Sequence, residues 1–169
     1  MEEIARLVEP LIPSLRRYAY ALLRDRDAVD DLVQDTLERA VAGWSRRRAE
    51  GDLRAWLFTI ERNLFLQTMR RRRRAGPMLG MEALDGFPAP MADPDGALAA
   101  RDVLAELDNL PEEQRSVLLL VAVEDLSYAE AATVLGVPVG TVMSRLSRAR
   151  ERLRRVLETG PVVMLRRVK

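Results

Sequence analysis

The chain has no cysteine and no histidine, and Lys169 is its one lysine. The first two absences exclude disulfides, zinc sites built from Cys and His, and every nucleophile that depends on a Cys–His or Ser–His pair. The third removes the lysine of a phosphate-binding P-loop, and no glycine-rich phosphate loop occurs. No apolar run is long enough to span a bilayer, and no basic stretch leading into an apolar one marks a secretory signal. The expectation is therefore a cytoplasmic protein, not an enzyme, with no catalytic residue, no metal, no cofactor, no membrane contact and no small-molecule substrate. A hydrolase built on paired carboxylates would still be possible in principle, but no apolar pocket or nucleophile supports it.

What the chain has is arginine, in blocks. Its 27 basic and 26 acidic residues nearly cancel overall, but they are segregated along the sequence. Asp25 to Glu38 carries six acids and one arginine, and Arg62 to Arg74 carries six arginines and no acid. Arg101 to Glu130 is acidic again, and Arg145 to Lys169 is basic. Alternating blocks suggest more than one partner, with the basic ones facing a polyanion. The simpler alternative is solvated helix faces in an arginine-rich chain.

Hydrophobic spacing of three and four residues runs through most of the sequence and predicts helices. The exception is "AGPMLGMEALDGFPAPMADPDG", residues 75–96, with four of the nine prolines, four of the nine glycines and no period. It reads as a flexible linker. The expected fold is all-α: a helical domain over 1–74, the linker, a second helical domain over 97–160 containing a helix-turn-helix, and a tail over 161–169.

In the first domain, Val29, Leu32, Val33, Thr36, Leu37, Ala40, Val41 and Trp44 form one stripe of a helix. Asp27, Asp31, Gln34 and Glu38 fall on the opposite face with Asp35 beside them. That face is either ordinary solvated surface or a docking face for a basic partner. A polar loop with Arg46, Arg47 and Arg48 follows, and Asp52 is placed to cap the next helix. That helix carries Leu53, Trp56, Leu57, Ile60 and Leu64 on a core stripe and ends in Arg70 to Arg74. Five adjacent guanidinium groups exceed what the helix dipole needs and suit phosphates. Trp56, Phe58 and Phe65 are candidates for stacking on exposed bases, with Trp56 better placed for burial.

In the second domain, Leu98, Val103, Leu104 and Leu107 mark one helix, and Pro111 is expected at the first position of the next, through Val123. Ser127 and Glu130 make a capping box for a short helix, Tyr128 to Leu135. Gly136 supplies a left-handed stop, and Pro138 opens a longer helix. Short helix, tight turn and long helix make a helix-turn-helix. The long helix shows two stripes at about 100° per residue: Val142, Leu146, Ala149, Leu153 and Val156 inward, and Thr141, Arg145, Arg148, Arg152 and Arg155 outward. Ser144 and Ser147 flank them. Short polar side chains with arginine fit a major groove, with the distal arginines nearer phosphates. A basic amphipathic helix with no DNA role is the bland alternative.

The motifs "DAVDDLVQDTLERA", "LRAWLFTIERNL…RRRRR" and "LPEEQRSVLLLVAVEDLSYAEAATVLGVPVGTVMSRLSRARERL" together resemble a bacterial sigma factor of the extracytoplasmic-function group. "LRAWLFTI" and "DDLVQDTLERA" are similar to its general stress-response subgroup. The resemblance implies that Asp31, Gln34, Asp35 and Glu38 grip core RNA polymerase. It implies that the loop Ser45 to Asp52, with Arg46, Arg47 and Arg48, captures a flipped base of the minus-ten element of promoter DNA. Asn63, Arg70, Arg71, Arg72 and Arg73 would contact DNA near the melted region. Pro138, Thr141, Ser144, Arg145, Arg148 and Arg152 would read the minus-thirty-five element. An anti-sigma factor wrapping both domains is the implied regulator. Gln67 departs from the acid many relatives carry there. Two other readings compete: a stand-alone helix-turn-helix regulator, which leaves the acidic face and the arginine run without a role, and a sigma-like mimic that titrates an anti-sigma protein, which has little use for Thr141, Arg145 and Arg148.

Overall fold

The computed structural model describes residues 2–47, 51–75 and 105–166. The expected linker beyond Ala75, the positions Leu98, Val103 and Leu104, and Arg48 lie outside the described residues. All regular elements among the described residues are helical. Helix α1 (Glu2–Val8) passes through a 3-10 turn (Glu9–Leu11) into α2 (Ile12–Leu23). α2 ends on Arg24, left-handed at φ 57. Asp25 caps α3 (Arg26–Gly43), its Oδ1 accepting from the backbone N–H of Asp27 at 2.9 Å and Ala28 at 3.1 Å. A second 3-10 turn (Trp44–Arg46) leads toward Asp52, which caps α4 (Leu53–Ala75) through the N–H groups of Arg54 and Ala55 at 2.7 and 3.3 Å. Each cap satisfies two of the donors a helix start leaves orphaned.

The C-terminal unit begins with a helical turn over 105–109, then α5 (Glu112–Leu118). Pro111, expected at the first helical position, is instead the N-cap one residue ahead of the helix, at φ −51, ψ 142, because an extended ψ places it outside the helix. α5 widens into a π-helical segment, Leu119–Val123, that the sequence reading ran together with it. Helices α6 (Tyr128–Leu135) and α7 (Val139–Arg166) complete the unit. α7 passes through Pro161, so it takes in most of the stretch set apart as a tail. Proline's fixed φ is a helical value and it withholds a single N–H.

The N-terminal core is built by α2, α3 and α4 around Leu15, Tyr18, Leu32, Leu57, Phe58 and Phe65, all buried. Tyr18 and Phe58 meet edge to face, 5.3 Å apart at 81°. The C-terminal core gathers Val117, Leu120, Ala131, Leu135, Val142 and Leu146. These two cores are continuous, because α4 also packs on α6, and α2 on the π-helical segment.

This second contact of α4 corrects two sequence expectations. Phe58 and Phe65 are 0% and 2% exposed, so neither is available to stack on a base. Trp56 is half-buried and leans edge-on against Trp44, centroids 6.1 Å apart. α4 is covered from two sides, and its buried face broadens to include Ala55, Leu57, Phe58, Glu61, Arg62 and Phe65.

Glu61 is fully buried and neither carboxyl oxygen has a hydrogen-bond partner among the described residues. Burial pushes its carboxyl well above the ordinary 4.5, and the nearby Glu124 adds to the effect. The folded chain therefore keeps a proton that the unfolded chain releases above about pH 4.5. Stability contributed by this group falls as pH rises from there toward the raised folded value. Glu61→Met, which keeps the bulk and removes the carboxyl, is expected to stabilise the fold at neutral pH by about 1–3 kcal/mol. Thermal melts at several pH values test this. An unchanged slope of melting temperature against pH above 4.5 would refute the assignment.

Candidate nucleic-acid interface

The helix-turn-helix forms as its local sequence dictates. Ser127 Oγ accepts from the Glu130 N–H at 3.2 Å, and Glu130 Oε2 accepts from the Ser127 N–H at 2.6 Å, the reciprocal capping box. Gly136 takes φ 64 to end α6, and the Val137 N–H returns to the Ala132 carbonyl at 3.1 Å. This closure needs a left-handed residue, which glycine supplies without steric penalty. The N–H groups of Thr141 and Val142 then bond to the Pro138 carbonyl at 3.0 and 3.2 Å, starting α7.

Along α7, Val142, Leu146 and Ala149 are buried. Ser144, Arg148 and Arg152 are exposed, Thr141 and Arg145 are half-buried, and Pro138 is exposed at the turn. The structure thus brings all six residues expected at the upstream element onto one outward face. Ser144 donates to the Thr141 carbonyl at 3.1 Å. Arg145 Nη2 lies 3.4 Å from Glu113 Oε2 on α5. Arg148 and Arg152 form no ion pair among the described residues. Further along, Arg154 and Arg155 share Glu151, and Arg154 also reaches Glu158. Those two acids hold the Arg154 guanidinium above its ordinary range and the arginines hold Glu151 below its own. Arg155 is thereby engaged within its own helix, unlike Arg148 and Arg152.

A second basic surface lies on the N-terminal unit. Asn63 and Arg70 to Arg73 are all exposed on α4. A surface groove of about 220 Å³ between α3 and α4 is lined by Arg39, Asn63, Gln67 and Arg70. A neighbouring groove of about 390 Å³ includes Asp35, Glu38, Arg39 and Arg71. Arg39 was missed by the sequence reading, which treated the polar face of α3 as acidic. One position beyond Glu38, it turns toward α4, and its signal was its place between that face and the apolar stripe. Arg46 is exposed, whereas Arg47 lies over the Trp44 ring at 5.0 Å and donates to the Gly51 carbonyl at 3.1 Å. Arg62, counted in the basic block by sequence, is buried and reaches Glu112 of the C-terminal unit at 3.3 Å.

Asp31, Gln34, Asp35 and Glu38 are all exposed on the outer face of α3. Gln34 Nε2 donates to Glu38 Oε1 at 3.0 Å. Among the described residues no group of acids could hold a metal ion, and no helix is long and apolar enough to cross a membrane.

Residues 100–153 match the family described as Sigma-70, region 4, and residues 8–61 match the Sigma2 domain of PhyR. The chain is 41% identical over 150 residues to the ECF RNA polymerase sigma factor EcfG of Rhodopseudomonas palustris, covering 86% of this chain and 80% of the relative. It is 38% identical over 151 residues to the ECF RNA polymerase sigma factor SigL of Mycobacterium tuberculosis, covering 85% and 82%. Among solved structures it is similar to the sigma factor RpoE of Bartonella quintana in complex with the anti-sigma factor NepR. That likeness has a TM-score of 0.83 and 34% identity, over 94% of this chain and 99% of the other.

Proposed function

Because the chain belongs to the extracytoplasmic-function sigma factors of bacterial RNA polymerase, we propose a division of labour among its surfaces for directing promoter recognition and transcription initiation. The outer face of α3, with Asp31, Gln34, Asp35 and Glu38, docks on core polymerase. The outward face of α7, with Pro138, Thr141, Ser144, Arg145, Arg148 and Arg152, reads the minus-thirty-five element. Arg46, Arg47, Asn63 and Arg70 to Arg73 serve the minus-ten element and the DNA that opens there, and Arg39, lining the same groove as Asn63, joins them. The domains end near residue 74 and resume near 97, and the linker raises the effective concentration of the second DNA contact once the first is made. Polymerase supplies the chemistry, so the chain works in the cytoplasm and needs no active site of its own.

The observation that carries this reading is the face of α7. Its buried stripe fixes the helix on the fold, and short polar groups and arginines are left outward at its N-terminal half, the end that enters a major groove. The direct test is abortive initiation with this chain, core polymerase and a pool of promoter fragments. Initiation that depends on the chain and on promoter sequence supports the reading; core binding with no initiation from any fragment refutes it. Within that assay, Arg145→Ala is expected to reduce discrimination for the upstream element by about 1–3 kcal/mol. Unaltered preference would mean that another residue reads the base.

The compact likeness to RpoE bound by NepR supports an anti-sigma factor as regulator of this chain, and the likeness to EcfG supports a role in the general stress response. The match to the Sigma2 domain of PhyR, which here ends at residue 61, is an observation favouring a mimic. Against it stands the retained reading face of α7, and a mimic would give no initiation.

A further inference from the structure

The first turns of α7 expose apolar groups as well as polar ones. Met143 is 52% exposed and Val139 is 41% exposed. They stand one helical turn apart, at i and i+4, and so share a side of the helix. Val142, Leu146 and Ala149 already hold α7 to the fold, so the core has no use for either. No acid occurs from Pro138 to Arg150, and Arg145, Arg148 and Arg150 follow the pair along the helix. An apolar patch beside this much positive charge suits a polyanion that also presents methyl groups. Duplex DNA does so in its major groove, where each thymine shows a C5-methyl.

Gly140 is an independent pointer to the same surface. It is exposed within α7, it takes no positive φ, and a Cβ added there would meet nothing within 4 Å. The fold therefore gives no reason for a glycine, which weakens a helix relative to alanine. What it does allow is close approach of an outside surface to the helix backbone. At about 100° per residue, Gly140, Met143, Ser144 and Ser147 share a strip about 100° wide. All four are exposed. Beside the strip, Met143, Ser147 and Arg150 border a groove of about 470 Å³ together with Tyr128 of α6. Met143 is the longest side chain on the strip, so it reaches farthest toward a base edge.

The chemistry discriminates between bases. Methionine is unbranched and polarizable, and it packs on a methyl without demanding one geometry. Burying one methyl removes enough apolar surface from water for roughly a 4-fold preference. Cytosine lacks the methyl and presents an amino donor in the groove. Met143 offers that donor no good acceptor, so a cytosine left against it loses a hydrogen bond to water. Arginines read guanine by its two acceptors, so an apolar contact adds a preference for A·T pairs that the basic groups do not supply.

We propose that Met143 is a specificity-determining residue: backed by Val139 and admitted by Gly140, it packs on the C5-methyl of a thymine in the minus-thirty-five element. This inference rests on the reading of α7 as the helix that meets that element, which initiation by the unaltered chain tests separately. The experiment uses the full chain, core polymerase and a promoter fragment selected by that initiation. Each thymine of its upstream element, on either strand, is replaced in turn by deoxyuridine, which deletes the methyl and keeps every hydrogen bond. Abortive initiation is measured at limiting fragment. The expected result is one thymine whose replacement lowers initiation by the unaltered chain roughly 4-fold. Met143→Ala should initiate at that lower level from the thymine fragment and respond no further to the replacement. Gly140→Ala should melt no earlier than the unaltered chain by circular dichroism, yet initiate several-fold less, because the added Cβ holds the DNA off. An upstream element without an A·T pair, or an unaltered chain indifferent to every deoxyuridine, would overturn the methyl contact. The same deoxyuridine response in Met143→Ala would overturn the assignment to Met143. Weaker binding of Met143→Ala to core polymerase without DNA would give the patch to a protein contact and overturn it too. Gly140→Ala initiating as the unaltered chain does would overturn the close approach.

Discussion

Asp31→Arg combined with Gln34→Ala is expected to abolish binding to core RNA polymerase, with an affinity loss of at least about 100-fold, while leaving the fold intact. Both side chains are exposed on the outer face of α3, opposite the buried Val29, Leu32, Val33 and Thr36. Substitutions there leave the core untouched, and surface changes of this kind alter stability by about 0.5 kcal/mol or less. Among the described residues the contact forfeited is the exposed Gln34–Glu38 hydrogen bond. Affinity is another matter, since a few residues near the centre of an interface carry most of its energy, at about 2 kcal/mol or more each. Reversing a charge opposite a basic partner adds repulsion to the lost contact. Binding measured by fluorescence anisotropy, with circular dichroism as the control for folding, decides it. Retained affinity would remove the α3 face from the docking role and leave its acidity as simple solvation.

Helices, caps and the helix-turn-helix were legible in the sequence because their signals are local. The Ser127–Glu130 box, the Gly136 stop and the Asp52 cap each act within four residues. The two stripes of α7 were legible for the same reason: a helix with one buried side shows a clean period. α4 was misjudged because it has two buried sides. The stripe through Leu53, Trp56, Leu57, Ile60 and Leu64 shows only one of them; Phe58 meets Tyr18 of α2 off that stripe, and Arg62 reaches Glu112 of the C-terminal unit. The π-helical widening had no signature, since "LLLVAV" is uniformly apolar and fits helix of any pitch. Glu124 and Arg17 are 107 residues apart, and charge segregation alone does not pair them. In the candidate interface, Thr141, Arg145 and Arg148 followed from period, whereas Arg39 required knowing that α3 and α4 run side by side. What stayed hidden was tertiary: which polar groups meet across the two units, and which exposed-looking aromatics are core.

Phe58→Ala is expected to destabilise the protein by about 3–5 kcal/mol, and it separates two accounts of α4. Phe58 is 0% exposed, edge-on to Tyr18, with the Arg54 guanidinium over its ring at 5.8 Å. Truncating a buried phenylalanine loses its transfer energy and leaves a cavity that close-packed neighbours only partly fill, and the aromatic pair adds about 0.5–1.5 kcal/mol. Domains of this size are stable by about 5–15 kcal/mol in all, so the change consumes a large share of the margin. At about 2–4 °C per kcal/mol the melting temperature should fall by roughly 6–20 °C. If Phe58 instead stacked on an unpaired base, as its place ahead of the arginine run first suggested, truncation would leave melting unaltered and impair only promoter opening. Thermal melts followed by circular dichroism distinguish the two, with abortive initiation measured well below the variant's melting point. A variant that melts with the unaltered chain yet fails to open promoters would return Phe58 to the DNA. A variant that melts early but initiates normally when cold places it in the core, where it holds α2 against α4 and so sets the angle at which Asn63 and the arginines of α4 are presented.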